Sequence, residues 1–486
     1  ARDQRITAIG LHIEGLTDVA AFARAAEVAR KLKKPVIALK TGRSEQGAKV
    51  ALSHTSSLAG ADTLYDALFE RYGIARMKSV TAFVETLKFL HHGGPLKDSR
   101  LVSMSCSGGE AALIADMALE RKVSFPPFDP KTKSEVAATL NEYVSIDNPL
   151  DYHTFIWDQF DNLTATYSAV LRGGFDAGVL ILDAPTKPGN NPAAWIVAAK
   201  AYAKAANEAG ARAVVTASLP ECMLPEVAAD LASKGVAPMM GLDDTLAAFE
   251  AASFIGRNWA RTEILPVLSK TQSRGTNEYT LNEHDAKTLL KTFGLPVPEG
   301  RVCKTGEAAE TAIQIGFPVT IKTSSAAIAH KTEAGGVVLN IKTIEEAESA
   351  ARKMAKLAPD VLVESMVTGA VAELIIGLKN DPQFGPALVI GAGGILTELL
   401  KDSVTLLLPT SREEITRALK SLKVWKLVDG FRGKSGDQKA VIDATMAVAA
   451  FAKAHTAQIE ELDVNPLLVL PEGAVAVDAL IRMRRD

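Results

Sequence analysis

Apolar and polar positions alternate along the first half of this chain in two rhythms. Short continuous apolar runs, Ile6–Ile13, Pro35–Leu39, Arg100–Ser105, Gly178–Leu182 and Ala213–Ser218, have the character of strands buried on both faces. Between them lie stretches with helical spacing: Asp18–Leu32, most of Asp62–Leu90, Ala111–Arg121, residues 159–171 and Leu242–Phe254. Repeated strand–helix–strand units predict parallel sheets whose functional loops gather at the carboxyl ends of the strands. Across residues 258–278, including Arg261-Thr262-Glu263 and Ser269–Thr276, the apolar period disappears and the chain reads as a linker. A helix over Asn282–Thr292 and strands over Val319–Lys322 and Val361–Met366 then open a region of different character, rich in flexible loops. The expected division is a first domain over 1–94, a second over 98–257, the linker, and a third over 279–486.

Composition narrows the class of protein. The 486 residues allow roughly three domains, at about 100–200 residues each. Hydrophobic content of 47% and charged content of 23% are ordinary for a globular protein. A net charge of −3 gives no support for nucleic acid or an anionic membrane as partner. Cys106, Cys222 and Cys303 are scattered, without CxxC spacing, so neither a zinc site nor a disulfide scaffold is indicated, and a reducing cytoplasm is expected. No apolar run approaches the ~20 residues of a membrane span, and no signal peptide opens the chain. The chain begins without Met and runs almost at once into a strand, which predicts a numbering that starts inside a longer protein and an incomplete first domain.

Candidate chemistry centres on Ser53-His54-Thr55-Ser56-Ser57-Leu58-Ala59-Gly60. Here one histidine stands among small hydroxylated residues that offer donors to a phosphate rather than apolar contacts, so His54 is a candidate nucleophile that is transiently phosphorylated. The plain alternative is a surface histidine without a role. Glu14 follows the first strand and can reach the same sheet edge, where a carboxylate would hold one ring nitrogen and leave the other free. The adjacent His91-His92 pair does not share a helix face and adjoins Gly93-Gly94-Pro95, which argues against a metal. At Ser107-Gly108-Gly109 a strand passes into a helix, a junction whose backbone N–H groups can meet an anion, although Glu110 beside it would repel one. The loop Asp147–Asp158 alternates polar and aromatic residues. Tyr152, His153 and Trp157 either line a pocket for an organic substrate or pin the loop to the core.

In the last region the parts of a nucleotide site occur separately along the sequence. Lys322, at a strand end, can neutralise phosphate oxygens as a point charge. Asn465 and Asp478, placed on adjacent short strands, offer the few oxygen ligands that Mg²⁺ prefers. Gly391-Ala392-Gly393-Gly394 lets backbone approach a ligand closely. No Walker A or GxGxxG pattern occurs. Taken singly, Lys322 also reads as a surface lysine and Asn465-Pro466 as a turn.

With these residues in view, the chain resembles the NDP-forming acyl-CoA synthetases, relatives of succinyl-CoA synthetase and of ADP-forming acetyl-CoA synthetase. Ser53–Gly60 resembles the family's phosphohistidine loop, Glu14 the acid that orients the histidine, and Ser107-Gly108-Gly109 a phosphate-receiving helix start. Phe317-Pro318-Val319 with Lys322, Asn380–Pro386 and Leu462–Leu467 resemble its ATP-grasp part. His330 in Ala329-His330-Lys331-Thr332 resembles a second histidine that relays phosphate in some members. The resemblance implies an α/β protein with two flavodoxin-like parallel-sheet CoA-ligase domains followed by an ATP-grasp domain. It implies nucleotide contacts from Lys322, Glu364, Glu373, Gly393 and Gly394, and Mg²⁺ on Asn465 and Asp478. The implied activity joins a small carboxylic acid to coenzyme A with conversion of ATP to ADP, through phospho-His54 and an acyl phosphate.

Departures from the family pattern qualify what is carried over. The family's CoA-binding domain and the first portion of the histidine domain have no counterpart, so the expectation is a fragment of a longer chain or a homo-oligomer. A non-catalytic or regulatory ATP-binding subunit is the alternative, and an ATP-grasp ligase that passes an acyl phosphate to another acceptor is a third. Glu364-Ser365 stands where many relatives have Gln-Glu. Tyr152, Phe155 and Trp157 replace a simpler pattern of acetate-type relatives, which predicts an acid larger than acetate, aromatic or cationic.

Overall fold

The computed structural model describes residues 1–44, 46, 62–187, 189–268, 277–324, 335–394 and 402–485. His54 and His330 lie outside the described residues. The chain divides into two compact units, one containing Ala1–Leu16 and Phe69–Ile264, the other Thr17–Ala20, residues 62–68 and the residues from Leu265 onward.

In the first unit, β1 (Ile9–Ile13), β2 (Val36–Lys40) and β3 (Ile74–Met77) form a parallel sheet in sequence order. The strand expected from Ile6 begins only at Ile9, whose N–H donates to the Pro35 carbonyl at 2.9 Å. Pro35 has no N–H to return, so pairing stops there and Ile6 stays exposed. The largely helical stretch expected over Asp62–Leu90 is two helices, Asp62–Tyr72 and Val80–His92, with β3 between them. Gly73 ends the first at φ +66°, a conformation that costs glycine nothing. Ser79 caps the second by accepting from the Ala82 N–H at 3.0 Å. The residues between pair with Val36–Leu39, and that pairing makes them a strand.

A second parallel sheet follows, built from β4 (Leu101–Ser105), β5 (Leu150–Asp151), β6 (Ala177–Ile181), β7 (Ala213–Ala217) and β8 (Ala237–Met240). Its order is β5-β4-β6-β7-β8, so the chain turns to opposite sides of β4 and leaves a crevice at the carboxyl ends of β4 and β6. Alternate residues enter two separate cores: Val102, Met104 and Leu180 on one face, Leu101, Val179 and Ile181 on the other. Burial on both faces is why these strands read as unbroken apolar runs. The helix expected at Ala111–Arg121 starts earlier and spans Gly108–Ala118, which puts Gly108 and Gly109 in its first turn. The helix expected to end at Phe254 continues to Trp259.

The second unit is antiparallel. A four-stranded sheet has the order β10-β13-β11-β12, from β10 (Gly300–Lys304), β11 (Val319–Thr323), β12 (Val337–Ile341) and β13 (Asp360–Ser365). Helices Ala308–Ile315 and Ile344–Met354 bury their alanine-rich faces on it. A larger sheet follows the path β16-β15-β14-β17-β19-β9 with β18 on β17. Its strands are β9 (Asn277–Thr280), β14 (Ala372–Asp381), β15 (Gly385–Ala392), β16 (Ser403–Leu407), β17 (Ile459–Val469), β18 (Ala474–Ala476) and β19 (Ala479–Arg485). Helix Gln438–Ala454 closes its core through Val441, Ala444, Val448 and Phe451. Among the described residues no helix is long and apolar enough to cross a membrane.

Candidate functional site

In the first unit the candidate residues gather at the carboxyl ends of β4, β5 and β6. Ser107 is the N-cap of Gly108–Ala118, yet its side chain makes no capping hydrogen bond, and Gly108 and Gly109 are exposed. The first-turn N–H groups of this helix are therefore open toward the crevice. Three carboxylates surround that opening. A Cβ on Gly108 would lie 3.1 Å from Asp151 Oδ2, so a side chain there would push Asp151 back by a few tenths of an ångström. Asp151 Oδ1 accepts from the His153 N–H at 2.9 Å, and Asp183 Oδ1 from the Ser218 N–H at 2.6 Å. Glu110 Oε2 is buried and has no hydrogen-bond partner among the described residues. Burial first, then the charges of Asp183 and Asp151, push the Glu110 carboxyl up to about 7. Half of it is thus protonated near neutral pH, which relieves the repulsion an anion would meet there. Burial, reinforced by Glu110, pushes the Cys106 thiol up to about 11, so Cys106 is no nucleophile at neutral pH.

The three aromatic-loop residues part company. Tyr152, expected at a substrate pocket, is fully buried and joins Tyr167 and Tyr202 in an edge-to-face row with ring centroids 5.4 and 5.5 Å apart. It pins the loop to the core, edge-on to Tyr167 of the helix Phe160–Leu171 and with its N–H donating to the Ser105 carbonyl at 3.0 Å. His153 stays nearly half-exposed, at φ +57°, with Nε2 3.7 Å from Asp151. Trp157 is partly buried, edge-on to Trp195 at 5.4 Å. Glu14 directly follows β1, at the edge where Thr41 continues from β2.

In the second unit Lys322, on β11, is only 8% exposed rather than a surface lysine. It is surrounded by Glu283 at 2.6 Å, Glu364 at 3.1 Å and the Val477 carbonyl at 2.6 Å. Burial works against the ammonium, but Glu283, Glu364 and Asp478 outweigh it and hold Lys322 above its ordinary value. Lys287 joins the same carboxylates, and burial together with Lys322 pulls it below its ordinary value. Sequence reasoning passed over Glu283 and Lys287. Their i,i+4 spacing on the helix Glu283–Lys291 was the available signal. Removing one member of such a buried set costs about 3–5 kcal/mol, because it strands an uncompensated charge.

Glu373, Gly393 and Gly394 are brought together. The Gly393 N–H donates to the Glu373 carbonyl at 2.8 Å, and a Cβ on Gly394 would lie 2.6 Å from Glu373 Oε2. Gly394 also takes φ +70°, so the turn needs glycine for both space and conformation. Asn465 and Asp478 are neighbours as well: the Asn465 N–H reaches the Asp478 carbonyl at 3.3 Å. The two are not both on short strands. Asn465 lies inside the long β17, and Asp478 in the break between β18 and β19, opposite it. Among the described residues no group of three or more His, Cys, Asp or Glu is arranged to hold a metal. An exposed amide and a part-buried carboxylate suit Mg²⁺, which completes its shell with water and substrate phosphates. Asp478 directly follows the carbonyl that accepts from Lys322, so this buried ammonium and the Asp478 carboxylate stand side by side.

Known proteins share this organisation. Residues 272–483 match the ATP-grasp domain family and residues 1–90 the succinyl-CoA ligase like flavodoxin domain family. The acetate–CoA ligase (ADP-forming) of Methanocaldococcus jannaschii is 30% identical over 99% of this chain and 71% of its own. The 4-hydroxybutyrate–CoA ligase (ADP-forming) of Nitrosopumilus maritimus is 29% identical over 97% of this chain and 70% of its own. A trans-feruloyl-CoA synthase from an unknown prokaryotic organism is 27% identical over 99% and 70%. Among solved structures, a dinucleotide-forming acetyl-coenzyme A synthetase of Ca. Korarchaeum cryptofilum is 35% identical over 42% of this chain and 93% of its own, with a TM-score of 0.40. The antiparallel two-sheet unit, the flavodoxin-like parallel sheets before it and a 30% identical relative along nearly the whole chain lead to one assignment: this protein belongs to the ADP-forming acyl-CoA ligase family.

Proposed function

We propose that the chain converts a carboxylic acid to its coenzyme A thioester by way of a phosphohistidine at His54. A ring nitrogen of His330 attacks the γ-phosphorus of ATP and ADP leaves, and a ring nitrogen of His54 then takes the phosphoryl group from His330. A carboxylate oxygen of the acid then takes the phosphoryl group, which restores the histidine and gives an acyl phosphate. The thiolate of coenzyme A attacks the acyl carbon and inorganic phosphate departs. Dividing the condensation in this way replaces one difficult step by easier ones. His330 is the proposed relay, and Glu14 the group that orients His54.

The observation that carries the nucleotide half is the joint position of Lys322 and Asp478 about the Val477 carbonyl, with Asn465 hydrogen-bonded alongside. Lys322 would face phosphate oxygens, and Asn465 with Asp478 would hold Mg²⁺, whose charge offsets that developing on the phosphates. Glu373 and the Gly393-Gly394 turn would border the same nucleotide. In the first unit the open start of Gly108–Ala118 supports a phosphate seat, with the neutral form of Glu110 able to donate to it.

For the acid, the names of the relatives range from acetate through 4-hydroxybutyrate to ferulate. Trp157 and His153, the aromatic-loop residues that keep exposed surface, support an acid larger than acetate in this chain. Losing one aromatic contact, roughly 0.5–1.5 kcal/mol, should raise KM for such an acid about two- to thirteenfold in Trp157→Ala, and unchanged KM would refute the assignment.

The phosphohistidine is tested by incubation with γ-labelled ATP and Mg²⁺. Label that is acid-labile and base-stable should appear on His54, and that label should vanish in His54→Ala. No label on His54 of the unaltered chain ends this reading, label that remains on His54→Ala should sit on His330, and AMP instead of ADP as product indicates another class of ligase.

A further inference from the structure

Each group that accepts from Lys322 among the described residues also accepts from Lys287. Lys322 donates to Glu283 Oε1 at 2.6 Å and to the Val477 carbonyl at 2.6 Å, and lies 3.1 Å from Glu364 Oε2. Lys287 donates to the same Glu283 oxygen at 2.7 Å, to the same carbonyl at 3.1 Å, and to the other oxygen of Glu364. Side-chain exposure is 3% for Lys287, 2% for Glu283, 3% for Glu364 and 8% for Lys322, so none of the carboxylates can turn to water instead. A buried lysine that swings onto a phosphate ordinarily leaves its former partners stranded, and a buried carboxylate without a cation is strongly disfavoured. In this arrangement the partners are not stranded, because a second ammonium already holds all of them.

We propose that Lys287 is a positioning residue for nucleotide binding: it retains Glu283, Glu364 and the Val477 carbonyl when Lys322 turns to a phosphate. It thereby frees Lys322 for the ligand and keeps the backbone next to Asp478 in place. Lys287 itself does not touch the nucleotide. The inference rests on the nucleotide reading of Lys322 given above, and a purely structural role, balancing two buried carboxylates, is the alternative.

Calorimetric titration of the full chain with ATP and magnesium chloride, paired with melting temperatures, separates the two. In Lys287→Met, Lys322 is the ammonium that remains, among the described residues, on two buried carboxylates and is held away from phosphate. ATP should then bind on the order of 10- to 100-fold more weakly. Adding Glu283→Gln removes one of the competing carboxylates and should recover most of that affinity. With a structural role alone, affinity would simply follow melting temperature through the series. Lys287→Met melting and binding ATP as the unaltered chain does overturns the proposal, as does a double variant that regains stability but not affinity. Should Lys287→Met fail to fold, Glu283→Gln must bind ATP more tightly than the double variant, and equal affinities refute the inference. No ATP binding by the unaltered chain, or undiminished binding by Lys322→Met, instead removes the nucleotide reading itself and this proposal with it.

Discussion

Replacing Glu110 with glutamine removes a carboxylate that its surroundings oppose. In the folded chain burial and the charges of Asp183 and Asp151 push this carboxyl from 4.5 up to about 7. The native state thus binds the proton more tightly than the unfolded chain does. The stability this confers is complete below pH 4.5 and is lost as pH rises through about 7. A shift of this size has a ceiling of about 3 kcal/mol. Glu110 keeps some contact with solvent, and screening reduces the expected effect to about 1–2 kcal/mol. Glutamine imitates the protonated form, so Glu110→Gln should match the unaltered chain near pH 5 and exceed it by that amount near pH 8. Denaturant midpoints across this range measure the difference. Hydrogen exchange in the helix Gly108–Ala118 assigns the transition to the right unit, since a chain with two compact units need not unfold in one step. A stability difference independent of pH, or one that shrinks as pH rises, would refute the reasoning.

Two packing predictions follow from the same unit. A Cβ on Gly256 would lie 1.8 Å from the Leu96 carbonyl oxygen, and Leu96 is tied back by its N–H to the Ala252 carbonyl at 3.1 Å. Alanine is the better helix former by up to about 1 kcal/mol. Overpacking against backbone costs about 1–3 kcal/mol and wins, so Gly256→Ala should lower the denaturation midpoint; an unchanged or raised midpoint contradicts this. The Tyr167 hydroxyl is buried beside that of Tyr152 without a hydrogen bond of normal geometry, so Tyr167→Phe should leave stability unchanged or raise it by up to about 1 kcal/mol. A clear loss in the same assay would reveal a partner for that hydroxyl.

The parallel strands were legible because burial on both faces leaves an unbroken apolar run, and β4 and β7 fall within a residue of the runs Arg100–Ser105 and Ala213–Ser218. The strand inside Asp62–Leu90 was not, because a run as short as Ile74–Met77 has no period of its own and takes its state from pairing with β2. Among the candidate residues, strand-end position pointed to Ser107-Gly108-Gly109 and Lys322, and residue type to Asn465 and Asp478, which turn out to be neighbours. The family itself was legible through the resemblance of Ser53–Gly60, Phe317-Pro318-Val319, Asn380–Pro386 and Leu462–Leu467 to known motifs. Sequence patterns report what a residue owes to neighbours a few positions away. Tyr152 reads equally as a pocket residue or a staple until its burial against Tyr167 decides for the staple. Glu110 reads as an ordinary helix-start acid until Asp151 and Asp183 arrive from other strands. Lys287 meets Glu364 from 77 positions away. Burial and charge coupling act through space, so the titration of Glu110 and the partnership of Lys287 with Lys322 were decided only by the tertiary structure.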